Sequence, residues 1–133
     1  MDQEQFFTTL QAHLDGLLYF SESEAPLLSE KLGPLGEEEL RAKIALQNDK
    51  DPQSLSSIDP AAFFSDILNQ ADPGDRVIVE NAQKFGELYT FLKNNCSNLQ
   101  VFRLEGGTRV PIIITAVLPD QDTLSLSTYA IES

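Results

Sequence analysis

The sequence has 133 residues and a formal net charge of −12, from 21 acidic and 9 basic residues. Hydrophobic residues make up 41% of the chain, which is enough for a packed core and argues against global disorder. No apolar run approaches the ~20 residues of a membrane-spanning helix, and the first residues lack the basic start of a signal peptide. We therefore expect a cytoplasmic protein with a single domain over residues 1–133.

The acidic residues are concentrated in the first part of the chain. Residues 1–39 contain nine acids and a single base, Lys31. A surface of this charge repels nucleic acid and anionic membranes and attracts a basic protein partner. A negative balance also serves solubility. The charge alone leaves both interpretations open.

The chain begins with a predicted amphipathic helix over Asp2–Asp15. Its apolar positions share one face, and Gly16 is typical of the residue that follows a helix end. His13 lies beside this apolar stripe, where a lone histidine is more typical of a boundary residue than of a ligand or a base. We expect no catalytic role for it.

An apolar run, Leu17 to Phe20, leaves this helix and enters a short acidic loop. Ser21 and Ser23 can bond nearby backbone groups, and Pro26 favours an extended chain before it. Glu22 and Glu24 are thus expected to be presented to solvent. The same pattern also fits an ordinary polar connection between a helix and the core.

Residues 27–59 show weak periodicity. Within them, residues 37–47 could form a short helix or, from Lys43 onward, a strand.

Asp59 and Pro60 predict the start of a helix that ends near Ala71. We expect one apolar side on that helix, formed by Phe63, Phe64, Ile67, Leu68 and Ala71. A turn cluster over residues 72–75 precedes a second helix, predicted from about Val79 to Asn95. Cys96 follows it, as a small buried hydrophobe rather than a nucleophile.

The last third is rich in branched and aromatic residues and predicts three strands, over Leu99–Leu104, Val110–Leu118 and Thr123–Ile131. Turn residues separate them, which indicates an antiparallel meander. The middle strand is apolar on both faces, so it should be a central strand covered by helices on both sides. The predicted fold class is α+β, a three-layer α-β-α sandwich with a largely antiparallel sheet.

Motifs of known enzyme classes are missing from the sequence, which has no P-loop, dinucleotide fingerprint, HExxH, nucleophile elbow or Cys-x-x-Cys. One cysteine and one histidine cannot form a zinc set. We expect no cofactor and no metal of its own. The enzyme hypothesis that remains is a carboxylate pair, Glu22 with Glu24, that binds a divalent metal or acts as acid and base.

Several motifs together resemble the nuclease A inhibitor family, small acidic proteins that block a sugar-nonspecific DNA/RNA endonuclease. In chain order they are DGLLYFSESEAP at 15–26, SIDPAAFF at 57–64, AQKFGELYTFLKNN at 82–95, LQVFRLEGG at 99–107 and STYAIES at 127–133. The resemblance implies an α-β-α sandwich, in agreement with the fold predicted from the residues. It also implies a protein inhibitor rather than an enzyme.

The resemblance implies a mechanism of inhibition as well: a loop carboxylate takes the place of a phosphate in the metal-containing active site of the nuclease. Glu22 matches the family's active-site-directed glutamate, with Glu24 as its neighbour. Ser133 matches the chain end that approaches the nuclease metal, with Glu132 beside it. Asp75 falls where the family has an acidic loop with an aromatic side chain, but this sequence contains no tryptophan.

These five residues are therefore the expected partner-binding site of a protein that is monomeric when free and binds no nucleic acid directly. The alternative is a generic acidic interaction domain that binds a different basic partner.

Overall fold

The computed structural model describes residues 2–132 and contains four helices and seven strands. The helices are α1 (Gln3–Leu14), α2 (Glu37–Gln47), α3 (Pro60–Asn69) and α4 (Arg76–Asn95). The strands are β1 (Leu18–Phe20), β2 (Glu24–Pro26), β3 (Leu28–Gly33), β4 (Leu55–Ile58), β5 (Ser97–Leu104), β6 (Arg109–Val117) and β7 (Thr123–Ile131). The predicted α+β class is confirmed.

The main sheet has five strands in the order β3-β7-β6-β5-β4, and all neighbours are antiparallel. β6 is its central strand, as the apolar run over residues 110–118 predicts. The predicted meander of the last three strands is confirmed, with Ile113 opposite Phe102 on one side and Ser127 on the other. β1 and β2 form a separate two-stranded hairpin.

Two apolar clusters lie on opposite faces of this sheet. Ile112 and Ile114 belong to the larger cluster together with buried residues of α1, α3 and α4. Ile113 belongs to the smaller cluster, to which α2 contributes Ile44. Because successive strand residues point to opposite faces, helices pack on both sides of β6. The finer description as a three-layer sandwich stays a prediction.

Capping side chains determine where the helices begin. Asp59 accepts a hydrogen bond from the amide of Ala62 at the start of α3, as predicted. Asp75 accepts one from the amide of Ile78, so α4 begins at Arg76 rather than near Val79. Gly16, at φ +73°, follows α1 in the backbone conformation that glycine adopts most readily.

α3 ends earlier than the sequence predicts, and fewer of its apolar side chains are buried. It ends at Asn69 rather than near Ala71, and Phe63 and Phe64 supply its buried residues. The partly buried side chain of Ile67 packs against the core beside them, while the side chain of Leu68 is half exposed.

The least readable stretch of the sequence contains two strands and a helix. Residues 37–47 form α2, which decides between the two predicted alternatives in favour of a helix. β3 and β4 are the edge strands of the sheet, and much of each is exposed. No helix within residues 2–132 is both long enough and apolar enough to cross a membrane.

Candidate functional site

Glu22 lies at the turn of the β1-β2 hairpin, and its side chain is exposed. The amide of Ser21 donates to the carbonyl of Ser23 across the turn, over 2.8 Å. The hydroxyl of Ser21 also lies 3.3 Å from the amide of Ser23, which donates to it. The two serines thus hold the turn, as predicted. We call residues 21–24 the hairpin tip.

The hairpin tip contacts the end of β7. The amide of Ile131 donates to Ser21 Oγ over 2.9 Å, and the amide of Glu22 faces the carbonyl of Ile131 at 3.4 Å. The structure therefore brings Glu22 next to the last described residues of the chain, as the shared site requires. Ser133 lies outside the described residues.

Glu24 lies in β2, opposite Phe20 of β1, and its side chain is exposed. It is therefore a strand residue beside the turn rather than part of an extended loop. The alternation of β2 buries its neighbour Ala25 and leaves Glu24 in solvent. The two glutamates thus lie on the same short hairpin, Glu22 at the turn and Glu24 on the returning strand.

Glu132 follows β7 and is held by an arginine that the sequence analysis did not single out. Arg103 Nη2 lies 2.6 Å from Glu132 Oε1, and Arg103 Nε lies 3.0 Å from Glu105 Oε1. The hydrogen bond to Glu132 is the main reason why the pKa of Arg103 is raised. The only signal in the sequence is a lone basic residue within the apolar strand LQVFRL.

Tyr19 of β1 lies close to this ion pair. Burial raises the pKa of its hydroxyl, the charge of Arg103 opposes that shift, and the charge of Glu132 adds to it. The ring stacks on Phe63 with centroids 6.0 Å apart, so the hairpin packs against α3. Tyr19 of β1 therefore lies between the Arg103–Glu132 ion pair and the Phe63 face of α3, next to the hairpin tip.

Asn81 of α4 fixes the outer edge of β1. Its side-chain oxygen accepts from the amide of Leu18 over 3.0 Å, and its side-chain nitrogen donates to the carbonyl of Leu18 over 2.8 Å. The side-chain amide thus pairs with β1 as a neighbouring strand would. Asn81 could not be singled out from the sequence either, because it lies on the buried face of an otherwise apolar helix stripe.

Asp75 is exposed at the start of α4, where its carboxylate caps the helix. Between α4 and β1 runs a groove of about 160 Å³, lined by Leu18 and Phe20 on the hairpin side and Ile78 on the helix side. Val77 lies at this helix start and is 69% exposed. It falls within the stretch, around residues 72–79, for which the family resemblance implies an aromatic side chain. Asp75 is thus on the same side of the fold as β1 but is engaged in capping.

His13 and Cys96 occupy ordinary packing positions. The ring of His13 packs on Phe91, with centroids 4.9 Å apart. Burial raises the pKa of the Cys96 thiol to about 11, so the thiol is protonated at neutral pH. Among residues 2–132 the structure contains no group of three or more His, Cys, Asp or Glu side chains that could hold a metal ion.

The chain matches a known protein family over nearly its whole length. A scan against family models matches residues 4–133, nearly the whole chain, to the model described as NuiA, nuclease A inhibitor-like protein. No curated protein matches the chain significantly. Family membership points to a nuclease inhibitor rather than an enzyme. On the strength of this match the chain belongs to the nuclease A inhibitor-like protein family.

Proposed function

We propose that this protein inhibits a sugar-nonspecific DNA/RNA endonuclease by inserting the hairpin tip into its metal-containing active site. The observation that carries the proposal is the position of Glu22, exposed at a turn whose backbone is bonded to the end of β7. A protruding carboxylate on a fixed backbone fits a narrow cleft better than one on a mobile loop, because less conformational entropy is lost on binding.

A carboxylate can replace a phosphate because it presents two anionic oxygens to the same donors. The metal and basic residues of a nuclease that receive a phosphodiester would also receive Glu22, which offers no bond to cut. In this proposal Glu24 supports the charge at the hairpin tip, and Glu132 and Ser133 approach the same metal region from the chain end. Asp75 faces the basic rim of the cleft. The metal belongs to the nuclease.

The proposal places the protein in the cytoplasm as a monomer that binds the nuclease as a protein and does not bind nucleic acid itself. The negative charge of the protein supports the last of these points, since like charge repels nucleic acid.

The substitution Glu22→Gln tests the proposal. It keeps the shape of the side chain and removes its charge. Losing one partner of a buried charge pair costs roughly 2–5 kcal/mol of binding, so inhibition should weaken by about 30-fold to several thousand-fold. The measurement is inhibition of a metal-dependent DNA/RNA endonuclease, with thermal melts of both proteins to show that the fold is kept.

Glu38→Gln is the matched control. Glu38 is exposed in the first turn of α2, which packs on the opposite face of the sheet. α2 begins near Val117, at one end of β6. Arg109 lies at the other end of β6 and pairs with Ile131, which contacts the hairpin tip. Because β6 is on the order of 25 Å long, Glu38 lies far from the hairpin tip. This variant should inhibit nearly as well as wild type.

Three outcomes would decide against the proposal. Equal inhibition by wild type and Glu22→Gln would remove Glu22 from the mechanism. A wild-type protein that inhibits no metal-dependent endonuclease would favour the alternative, an acidic interaction domain with another basic partner. Metal-dependent hydrolysis by the isolated protein, lost in Glu22→Gln, would favour the carboxylate enzyme.

A further inference from the structure

Three segments that are distant in sequence meet at the side chain of Arg103. Arg103 lies on β5, and its guanidinium contacts Glu105 of the β5-β6 turn and Glu132 after β7. In the sheet β6 separates β5 from β7, so the contact spans two strand spacings, roughly 10 Å. The side chain of Arg103 is only 21% exposed, while those of the two glutamates are about half exposed. A largely buried cation thus joins two carboxylates across the end of the sheet.

The same residues connect to the hairpin tip. The amide of Glu132 donates to the carbonyl of Thr108 over 2.7 Å, and the amide of Ile131 donates to Ser21 Oγ over 2.9 Å. Residues 131 and 132 are therefore attached to the β5-β6 turn on one side and to the hairpin tip on the other. Arg103 adds a charged contact to this arrangement through its ion pair with Glu132.

We propose that Arg103 is a positioning residue, which holds residues 131 and 132 against the hairpin tip so that Glu22 and the chain end form one rigid surface. The part of this inference that concerns inhibition rests on the proposed function. A guanidinium suits this task because its planar set of donors can bond two carboxylates in fixed directions. A rigid surface loses less entropy on binding a partner.

The direction in which Arg103→Gln changes partner binding distinguishes a positioning role from a simple effect of charge. Replacing Arg103 by glutamine makes an acidic protein more acidic, and electrostatic attraction alone would then strengthen binding to a basic partner. Positioning predicts the opposite, weaker binding through faster dissociation, with an association rate that is unchanged or higher.

The first measurement is native-state amide hydrogen exchange at residues 131 and 132, with the amide of Ile113 in the central strand as an internal reference. In Arg103→Gln the exchange of both amides should speed up about tenfold relative to Ile113, the order expected from losing one hydrogen bond between charged groups. Arg103→Lys should recover only part of the protection, since an ammonium cannot hold both carboxylates in the same geometry.

Arg109→Gln is the matched control for charge. Arg109 lies at the same end of the sheet, is exposed, and has its guanidinium 4.2 Å from the centroid of the Tyr129 ring. Its removal should leave both amides protected as in wild type. If Arg103→Gln does not fold, Glu132→Gln removes the same ion pair from its exposed end. Unchanged exchange at residues 131 and 132 when the pair is broken would overturn the positioning role.

The second measurement is binding to a metal-dependent DNA/RNA endonuclease that the wild-type protein inhibits. Arg103→Gln should bind about tenfold more weakly, by the same loss of one charged hydrogen bond, and Arg109→Gln at least as tightly as wild type. Full inhibition by an Arg103→Gln protein whose chain end exchanges faster would overturn the role of Arg103 in inhibition. If the wild type inhibits no such nuclease, the proposed function fails, and the exchange rates still decide whether Arg103 positions the chain end.

Discussion

At the scale of single residues, the fixed position of the hairpin depends on buried polar contacts rather than on apolar packing alone. β1 is three residues long, too short to be stable as a hairpin with β2 by itself. Asn81 compensates by donating to and accepting from the backbone of Leu18. A side chain that satisfies both backbone groups of a partly buried residue is costly to remove, since each unsatisfied group costs about 1–3 kcal/mol.

Asn81→Ala should therefore lower the free energy of unfolding by about 2–3 kcal/mol, because it leaves the amide and carbonyl of Leu18 without their partner. Gln83→Ala is the control, since Gln83 is an exposed amide on the same helix and its loss should matter by less than about 0.5 kcal/mol. Urea unfolding measures both. A similar small loss in the two variants would mean that Asn81 does not hold β1.

At the scale of elements, the boundaries of helices and strands decide where the hairpin lies. α1 must end abruptly at Leu14 for β1 to begin four residues later, at Leu18, and Gly16 makes this possible with φ +73°. An added side chain at Gly16 would meet no atom within 4 Å, so any cost of substitution comes from the backbone conformation and not from a clash.

Gly16→Ala should destabilise the protein by about 1 kcal/mol, because a side chain disfavours positive φ. Gly86→Ala should do the reverse and stabilise it by about 0.5–1 kcal/mol. Gly86 lies inside α4 and also has open space around it, so the two substitutions differ in backbone conformation alone. Denaturant unfolding of both variants checks the pair, and a change of the same sign in both would contradict the explanation.

The elements that the sequence predicts are those with strong local patterns. α1, α3, α4 and the three long strands have regular apolar spacing and clear caps or turns, so their existence follows from neighbouring residues. β3 and β4 were missed because they are edge strands in which apolar and polar residues do not alternate clearly. β3 is defined by pairing with β7, for example Leu28 with Ser127, and a partner so far along the chain leaves no local signal.

The same limit applies to the candidate site. The turn at Glu22 follows from the serines and the proline around it. The bond from Ile131 to Ser21 joins residues 110 positions apart, and the ion pair of Arg103 with Glu132 joins residues 29 apart. Long-range contacts of this kind depend on strand order, which one sequence does not display. The residues that present the hairpin tip were therefore harder to predict than the hairpin tip itself.

At the scale of the whole molecule, the net charge of −12 should govern how fast a partner arrives rather than how tightly it is held. Nine of the 21 acids fall within residues 1–39, which include the hairpin tip. Their combined field extends over a distance set by salt, about 30 Å at 0.01 M and about 10 Å at 0.1 M ionic strength. A basic partner should therefore be steered to this region mainly at low salt.

The association rate with a basic endonuclease should fall steeply, by about one to three orders of magnitude, as salt is raised from low to moderate concentration. Stopped-flow mixing at several salt concentrations measures it. Glu22→Gln and Glu38→Gln each remove one charge of many, so both should keep nearly the wild-type association rate and salt slope, while Glu22→Gln alone dissociates faster. An association rate that does not depend on salt would indicate an apolar interface, and it would favour a generic interaction domain over an inhibitor that reaches its target by charge.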